Sequence, residues 1–162
     1  MPTKQGDVSL LKDPIAQELL KSTNQAKLAY VWSDGTPRVI PIWFYWNGQE
    51  IVFGSPSIAP KMKALKDGVK VAITIDSSNP PWHVLYVRGS VHIDVIDGIS
   101  QEYAASARRY LGEEAGNAWL AQVEQMGGKM ARILVTPEWV GVLDFEKRLP
   151  SAIEKAMAGA GG

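Results

Sequence analysis

A small group of residues between Arg38 and Lys61 has the types and spacing to bind an anion. Ser55 and Ser57 follow a strand-like run, and Lys61 stands near the start of the short helical stretch that comes next. Serine hydroxyls, a lysine and the unpaired backbone N–H groups of a helix N-terminus together suit a terminal phosphate. The spacing therefore predicts a phosphate site, which Arg38 could also reach. The alternative is that the charges of Lys61 and its neighbour Lys63 are simply solvated.

Residues for other kinds of catalysis are few. The sequence has no cysteine, which excludes disulfides, thiolate nucleophiles, iron–sulfur clusters and cysteine-bound zinc. His83 and His92 lack the helical spacing of a metal-binding pair, and we interpret both as polar residues on the outward faces of strands. Neither a Walker lysine–serine pair nor a G-x-G-x-x-G motif is present. The sequence therefore predicts no metal site, and it leaves the catalytic residues unknown.

Composition narrows the class of protein. The chain has 162 residues, which fits one domain, and its 17 basic residues balance 17 acidic ones. A net charge of zero gives no electrostatic reason to expect a nucleic acid or a membrane surface as partner. The longest apolar run, residues 39–46, is far shorter than the roughly 20 residues that span a bilayer. No secretory signal is recognisable, so we expect a soluble cytoplasmic protein.

The sequence is also rich in tryptophan. Tryptophans can fill a core or a subunit interface, or they can line the binding site of a planar aromatic cofactor. Both interpretations stay open for each of them, with Trp43, Trp82 and Trp139 as the candidates for a cofactor or substrate site. The six positions are Trp32, Trp43, Trp46, Trp82, Trp119 and Trp139.

The elements that must position these residues begin with two hairpins. Asp34-Gly35 and Asn47-Gly48 separate three apolar runs, which predicts a three-stranded antiparallel meander over residues 26–32, 38–46 and 50–54. Further strands are predicted over residues 69–75, 82–95 and 130–145, with a bulge at Gly89 and an edge or bulge position at Pro137.

Helices are predicted to lie outside this sheet. Asp13-Pro14 is typical of a helix start, a short helix is predicted over residues 61–66, and residues 100–126 should form two helices broken near Gly112. Consecutive hairpins exclude a parallel βαβ sheet. We therefore predict a mainly β (α+β) protein, a six-stranded antiparallel barrel with flanking helices, because closure removes exposed edges.

The predicted domain organisation has three parts. Residues 1–12 should form a flexible lead-in, and residues 13–146 a single barrel domain with a helical insertion at about 99–127. Residues 147–162 should form a short helical stub that fades into a disordered Gly/Ala tail.

The order of the motifs resembles a known family. The run Arg38-Val-Ile-Pro-Ile-Trp-Phe44, the Asn-Gly turn and the segment from Val52 to Leu65 are similar to the core of the pyridoxamine 5'-phosphate oxidase-like flavin proteins. The resemblance continues through residues 69–76 and 86–92, and more weakly through 132–145. It implies an FMN-binding split β-barrel, a homodimer with FMN or a deazaflavin at the interface, and a small-molecule substrate.

The resemblance also assigns site residues. Arg38, Ser55 and Lys61 occupy positions that bind the cofactor phosphate in that family, while Ser57 is a candidate only from the spacing described above. The backbone of residues 40–42, which are Ile40, Pro41 and Ile42, would lie along the flavin ring. Trp43 and Pro60 stand where the oxidase carries basic residues.

The resemblance thus implies a flavin-dependent oxidoreductase, with FMN as cofactor, that transfers a hydride to or from a small planar substrate beside Trp43. The first alternative is a reductase that uses the deazaflavin coenzyme F-420. The second is a non-enzymatic flavin-binding or haem-binding protein, in which His83 or His92 would be the axial ligand.

Overall fold

The computed structural model describes residues 4–161, which form one antiparallel sheet and four α-helices, an α+β fold. The strands are β1 (Ala26–Val31), β2 (Pro37–Ile42), β3 (Tyr45–Trp46), β4 (Ile51–Pro56), β5 (Lys70–Asp76), β6 (Val84–Asp97) and β7 (Lys129–Leu143). The α-helices are α1 (Pro14–Lys21), α2 (Gln101–Leu111), α3 (Glu113–Met126) and α4 (Ser151–Gly159). Val8–Lys12 and Pro60–Lys63 form 3-10 helices.

The sheet curls because of its strand order, which is β2-β1-β5-β6-β7-β4-β3. β2 and β3 follow each other in the chain, yet they form opposite edges of the sheet. Only Trp43 and Phe44 join Ile42 of β2 to Tyr45 of β3. Three Cα–Cα steps span at most about 11 Å. The two edges must therefore approach each other, which bends the seven strands into an incompletely closed barrel.

The predicted count of six strands is wrong, because residues 38–46 do not form one strand. Phe44 is fully buried, and its carbonyl oxygen accepts hydrogen bonds from the Ser106 hydroxyl (3.1 Å) and from the Arg109 guanidinium. These bonds from α2 replace bonds between strands, so the chain leaves the sheet at this point. Both predicted turns are correct. Within residues 38–46, however, only β3 pairs with β4, whereas β2 pairs with β1.

Other predicted irregularities are confirmed. The register of β6 and β7 shifts between Arg88 and Gly89, and Pro137 lies opposite this bulge. A Cβ atom at Gly89 would lie 2.1 Å from the carbonyl oxygen of Thr136, so the close approach of the two backbones requires glycine. α2 and α3 are divided at Gly112, whose φ of 86° is rarely adopted by other residues.

The core lies between α1 and the concave side of the sheet. Leu19 of α1 packs with Leu28 of β1, Phe53 of β4 and Ile133 of β7 in one buried cluster. Burial of such apolar side chains is the main term that stabilises a curled sheet of this kind. Among residues 4–161, no helix is long and apolar enough to cross a bilayer.

The segments outside the sheet differ partly from the predictions. Within the predicted lead-in, Val8–Lys12 is a 3-10 helix, because Leu10 and Leu11 are buried in the core. The short helix predicted over 61–66 is only the single 3-10 turn Pro60–Lys63. α4 occupies the predicted C-terminal stub and buries no residue. Residues 1–3 and 162 of the predicted lead-in and tail lie outside the described residues.

Candidate functional site

A cavity of about 290 Å³ lies where β2 and β4 meet the α2–α3 pair. Five of the eight residues that the sequence predicts for the cofactor site line this cavity. These are Pro41, Ile42, Trp43, Ser55 and Lys61. β2 and the link that follows it supply the first three, while the end of β4 and the next 3-10 turn supply the others. The antiparallel sheet thus brings together residues that are up to 20 positions apart in the chain.

The other three predicted residues do not line this cavity. The Arg38 guanidinium bonds the Thr36 hydroxyl instead, and it lies 4.0 Å from the Asp34 carboxylate. Arg38 and Ile42 are four residues apart along β2, which corresponds to a distance of roughly 13 Å at the usual rise per residue of a strand. Ile40 packs against the core. The Ser57 backbone N–H donates to the carbonyl oxygen of Lys129. Within one chain, therefore, Arg38 and Lys61 do not converge.

Lys61 has the properties of an anion ligand. Its side chain is half-buried, and burial lowers the pKa of its ammonium group, since desolvation disfavours the charged form. Among residues 4–161, no carboxylate lies within 4.0 Å of it. Ser55 is buried, and its hydroxyl makes only a long contact of 3.4 Å with the carbonyl oxygen of Pro56. A bound phosphate would supply the missing partner to both groups, so the residues present fit a phosphate-bearing cofactor.

The helix terminus that was expected to assist Lys61 is absent, and this part of the prediction is wrong. Pro60–Lys63 is one 3-10 turn, and it begins with a proline, which has no N–H group to donate. A single turn also lacks the summed dipole of a longer α-helix. The side chains of Lys61 and Ser55 are therefore the main candidates to hold an anion at this site.

The cavity also has aromatic walls. The Trp43 ring stacks on Tyr110 at a centroid distance of 5.3 Å, with 9° between the planes. Trp43 also meets Tyr103 at 6.2 Å and the edge of Trp119 at 6.5 Å. Tyr103 and Trp119 line the cavity, while the Tyr110 hydroxyl donates to the carbonyl oxygen of Asn24 and burial raises its pKa. Flat rings in these walls suit a planar ligand.

Tyr103 is placed by contacts around the start of α2. Ser100 caps the helix and accepts a hydrogen bond from the Tyr103 N–H (3.1 Å). Arg132 of β7 donates to both carboxylate oxygens of Glu102, which holds the pKa of that carboxyl below its ordinary value. Gly54 of β4 lies under the tyrosine, where a Cβ atom would approach the Tyr103 ring to 2.7 Å.

Sequence reasoning missed Tyr103, Trp119 and Gln25, which also line the cavity. The signal that was present is the spacing of Tyr103 and Tyr110, which lie two turns apart on one face of α2. This pattern shows that the helix has an aromatic face, but it does not show which surface of the sheet that face covers.

The other tryptophans and the histidines lie elsewhere. Trp139 lines a second cavity, of about 390 Å³, where the Arg88 guanidinium lies 4.1 Å from the Trp139 ring centroid. Trp82 is about half exposed. His83 lies 3.5 Å from Glu18 and His92 lies 3.1 Å from Asp67, and neither histidine lines the first cavity. Within residues 4–161 there is no group of three or more potential metal ligands.

Comparisons with known proteins support the fold. No family model and no curated protein matches the chain. Among solved structures, an F-420 reductase is 25% identical, with a TM-score of 0.60, and the match covers 77% of this chain and 94% of that one. A conserved hypothetical protein from Mycobacterium tuberculosis is 18% identical, with a TM-score of 0.66 and coverage of 91% and 94%. An FAD and haem binding protein from Mycobacterium smegmatis is 19% identical, with a TM-score of 0.58 and coverage of 96% and 80%.

These structures are split barrels of the flavin/deazaflavin oxidoreductase fold. The present chain has the same fold, and the resemblance seen in its sequence is confirmed at this level.

Proposed function

We propose that this protein is an oxidoreductase that binds a flavin-type cofactor in the cavity between β2, β4 and the α2–α3 pair. The observation that carries the proposal is the half-buried Lys61 ammonium, which has no carboxylate partner among residues 4–161 and faces the same cavity as Trp43, Tyr103 and Trp119. A cation and flat apolar rings in one cavity match a phosphate joined to an aromatic ring system.

The residues of the cavity have distinct roles in this proposal. Lys61 and Ser55 hold the cofactor phosphate. The ring lies along β2, which is an edge strand, so backbone groups on its free side are available to the polar edge of a ring. A flavin or deazaflavin, when bound, supplies the hydride chemistry, and the chain need only bind, orient and exclude water. Trp43 and Trp119 line the cavity and provide flat apolar walls for the ring.

We further propose that the protein is a homodimer. An outer row of cross-strand neighbours runs from Val39 through Ala29, Ala72 and Arg88 to Trp139. Residues directly opposite each other in a sheet point to the same face. Val39 is 65% exposed on this face, and it shares the row with Trp139, a residue type enriched at interfaces. A cofactor at the interface could then be reached by Arg38 of one subunit and Lys61 of the other.

A specific observation favours F-420 as the second candidate cofactor. The terminal phosphate of FMN is a monoester that carries between one and two negative charges near neutral pH. The phosphate of F-420 is a diester with a single charge. Lys61 is the one cation among residues 4–161 that lines the cavity, and by the resemblance Pro60 and Trp43 stand where the oxidase carries basic residues. The likeness to an F-420 reductase points the same way. No histidine lines the cavity, so a haem function has no comparable support.

Equilibrium dialysis of the purified protein with FMN, riboflavin and F-420 tests the proposal. Riboflavin has the same ring as FMN but no phosphate, so tighter binding of FMN measures the phosphate contact directly. We expect FMN or F-420 to bind at least tenfold more tightly than riboflavin, since charge-assisted hydrogen bonds are among the stronger ones. Equal binding of riboflavin and FMN, together with no binding of F-420, would contradict the proposed phosphate site.

A further inference from the structure

We propose that the Tyr103 hydroxyl donates a hydrogen bond to a carbonyl oxygen of a planar conjugated ring bound in the cavity, and that Trp119 is the residue that positions this hydroxyl. The inference deepens the proposed function and rests on it for the nature of the ring. It concerns the aromatic walls of the cavity, whereas the phosphate contacts concern Lys61 and Ser55.

The direction of the Tyr103 proton follows from one hydrogen bond. The Trp119 Nε1–H donates to the Tyr103 hydroxyl oxygen at 2.9 Å. An indole nitrogen can only donate, so the tyrosine oxygen must be the acceptor in this contact. The hydroxyl's own proton therefore points away from Trp119. Among residues 4–161 no protein acceptor takes that proton, and Tyr103 lines the cavity, so the proton is available to a ligand there.

The neighbouring tyrosine shows the contrast. Tyr110 lies on the same helix and contacts the same tryptophan, Trp43. Its hydroxyl proton, however, is already donated to the carbonyl oxygen of Asn24 at 2.9 Å. Tyr110 thus supports the aromatic cluster from behind, while the hydroxyl of Tyr103 remains a free donor on the cavity side.

The donor is held in place before any ligand binds. The Ser100 cap and the ion pair of Glu102 with Arg132 fix the first turn of α2, and Gly54 leaves just enough room for the tyrosine ring. A donor that is ordered in advance loses little conformational entropy on binding, and this makes its hydrogen bond more effective. A preordered Tyr103 hydroxyl is therefore suited to a hydrogen bond with one specific acceptor atom of a ligand, and not merely to a general apolar contact.

The chemistry of the cavity defines the ligand class. A free O–H donor requires an acceptor, and the flanking rings of Trp43 and Trp119 favour a flat conjugated partner. A carbonyl oxygen in the plane of such a ring satisfies both requirements. Two sources can supply it, the ring of the cofactor or a quinone-like substrate that lies beside it.

Equilibrium dialysis with two phosphate-free probes separates these sources. Lumichrome contains the flavin ring without its side chain, and menadione is a quinone without a flavin ring. The variants are Tyr103→Phe, Trp119→Phe and the double variant, with Tyr110→Phe as the matched control that removes a hydroxyl from the same helix. Thermal unfolding of each variant reports whether the fold is retained.

We expect Tyr103→Phe to weaken the binding of at least one probe about three- to tenfold, the usual effect of one neutral hydrogen bond. Loss for lumichrome assigns the carbonyl to the cofactor, and loss for menadione assigns it to the substrate. Tyr110→Phe should bind both probes as the wild type does. Trp119→Phe should weaken binding more in the wild-type background than in the Tyr103→Phe background, since the part of its effect that acts through that hydroxyl is already lost there.

The results that would overturn the inference are distinct from those that would overturn the proposed function. Wild-type affinity of Tyr103→Phe for both probes, or no binding of either probe to the wild type, overturns the role of Tyr103. Additive effects of Tyr103→Phe and Trp119→Phe overturn the positioning role of Trp119. If FMN and F-420 fail to bind while the probes bind through Tyr103, only the proposed cofactor function fails.

Discussion

Substituting Gly54 by alanine should disturb both the stability of the protein and the shape of its cavity. A Cβ atom at this position would lie 2.7 Å from Cδ2 and 3.0 Å from Cβ of Tyr103, and 3.2 Å from the Met130 sulfur. Carbon atoms pack best at roughly 3.5–4.0 Å. Because one of the crowded atoms is the Tyr103 Cβ, a rotation of the ring cannot relieve the contact, and α2 itself must shift.

The size of the stability loss depends on the contacts that hold α2 in place. The bidentate bond of Arg132 to Glu102 and the Ser100 cap hold the start of α2. Overpacking in such a site costs about 1–3 kcal/mol, and the gain from replacing glycine in a strand offsets roughly 0.5–1 kcal/mol. A net loss of about 1–2 kcal/mol lowers Tm by roughly 2–4 °C per kcal/mol in a chain of this size. We also expect weaker binding of FMN or F-420, since Tyr103 and Trp119 move together.

Circular dichroism melting and equilibrium dialysis measure the two effects. Gly159→Ala is the matched control, because a Cβ atom there meets nothing within 4 Å and the residue lies in a helix, where alanine is favoured. The cost of Gly54→Ala should also shrink in a Tyr103→Ala background, which removes the closest atom. A Gly54→Ala protein with the Tm and the cofactor affinity of the wild type would refute the placement of Tyr103 over β4.

Two further predictions concern the charge and the exposed face. Lys61→Met should weaken binding of FMN or F-420 at least fivefold and raise the Tm of the cofactor-free protein at neutral pH, because desolvation lowers the pKa of the half-buried ammonium and costs stability while it is charged; this gain in Tm should disappear as the pH rises past the ordinary pKa of lysine. The exposed Lys63→Met is its control, and equal affinities for the two variants would exclude the phosphate contact. Val39→Glu should convert a dimer into a monomer of 17.7 kDa in sedimentation at micromolar concentration, whereas Val95→Glu should not; a wild-type monomer would reject the dimer.

Most of the fold was predictable from short-range signals in the sequence. The two hairpin turns, the helix break at Gly112 and the bulge at Gly89 each depend on residues whose backbone preference is local. The break between β2 and β3 was missed because its cause is distant. Ser106 and Arg109, which bond the Phe44 carbonyl oxygen, lie 62 and 65 positions further along the chain. No local pattern in residues 38–46 indicates that residues so far along the chain bond to the Phe44 carbonyl oxygen.

In the candidate site, too, the residues with local sequence signals were predicted and those placed by distant contacts were not. Ser55 and Lys61 follow a strand and precede a turn, so their order and the family resemblance were sufficient to select them. The helix-terminus argument failed because Pro60 both begins the turn and removes a donor. Tyr103 could not be found in this way, since its position depends on how the α2–α3 pair folds back over Gly54.

The α2–α3 pair enters and leaves the barrel at a single point. β6 and β7 pair as far as Asp97 and Lys129, and the Gly98 N–H bonds the Gly128 carbonyl oxygen just beyond them. The helices are therefore an interchangeable cassette on a hairpin whose strands would pair without it. Recombination or engineering at Gly98 and Gly128 can replace Tyr103 and Trp119 and leave Trp43, Ser55 and Lys61 unchanged. A new cassette must also supply partners for the carbonyl oxygens of Phe44 and Asn24 and for the Arg132 guanidinium.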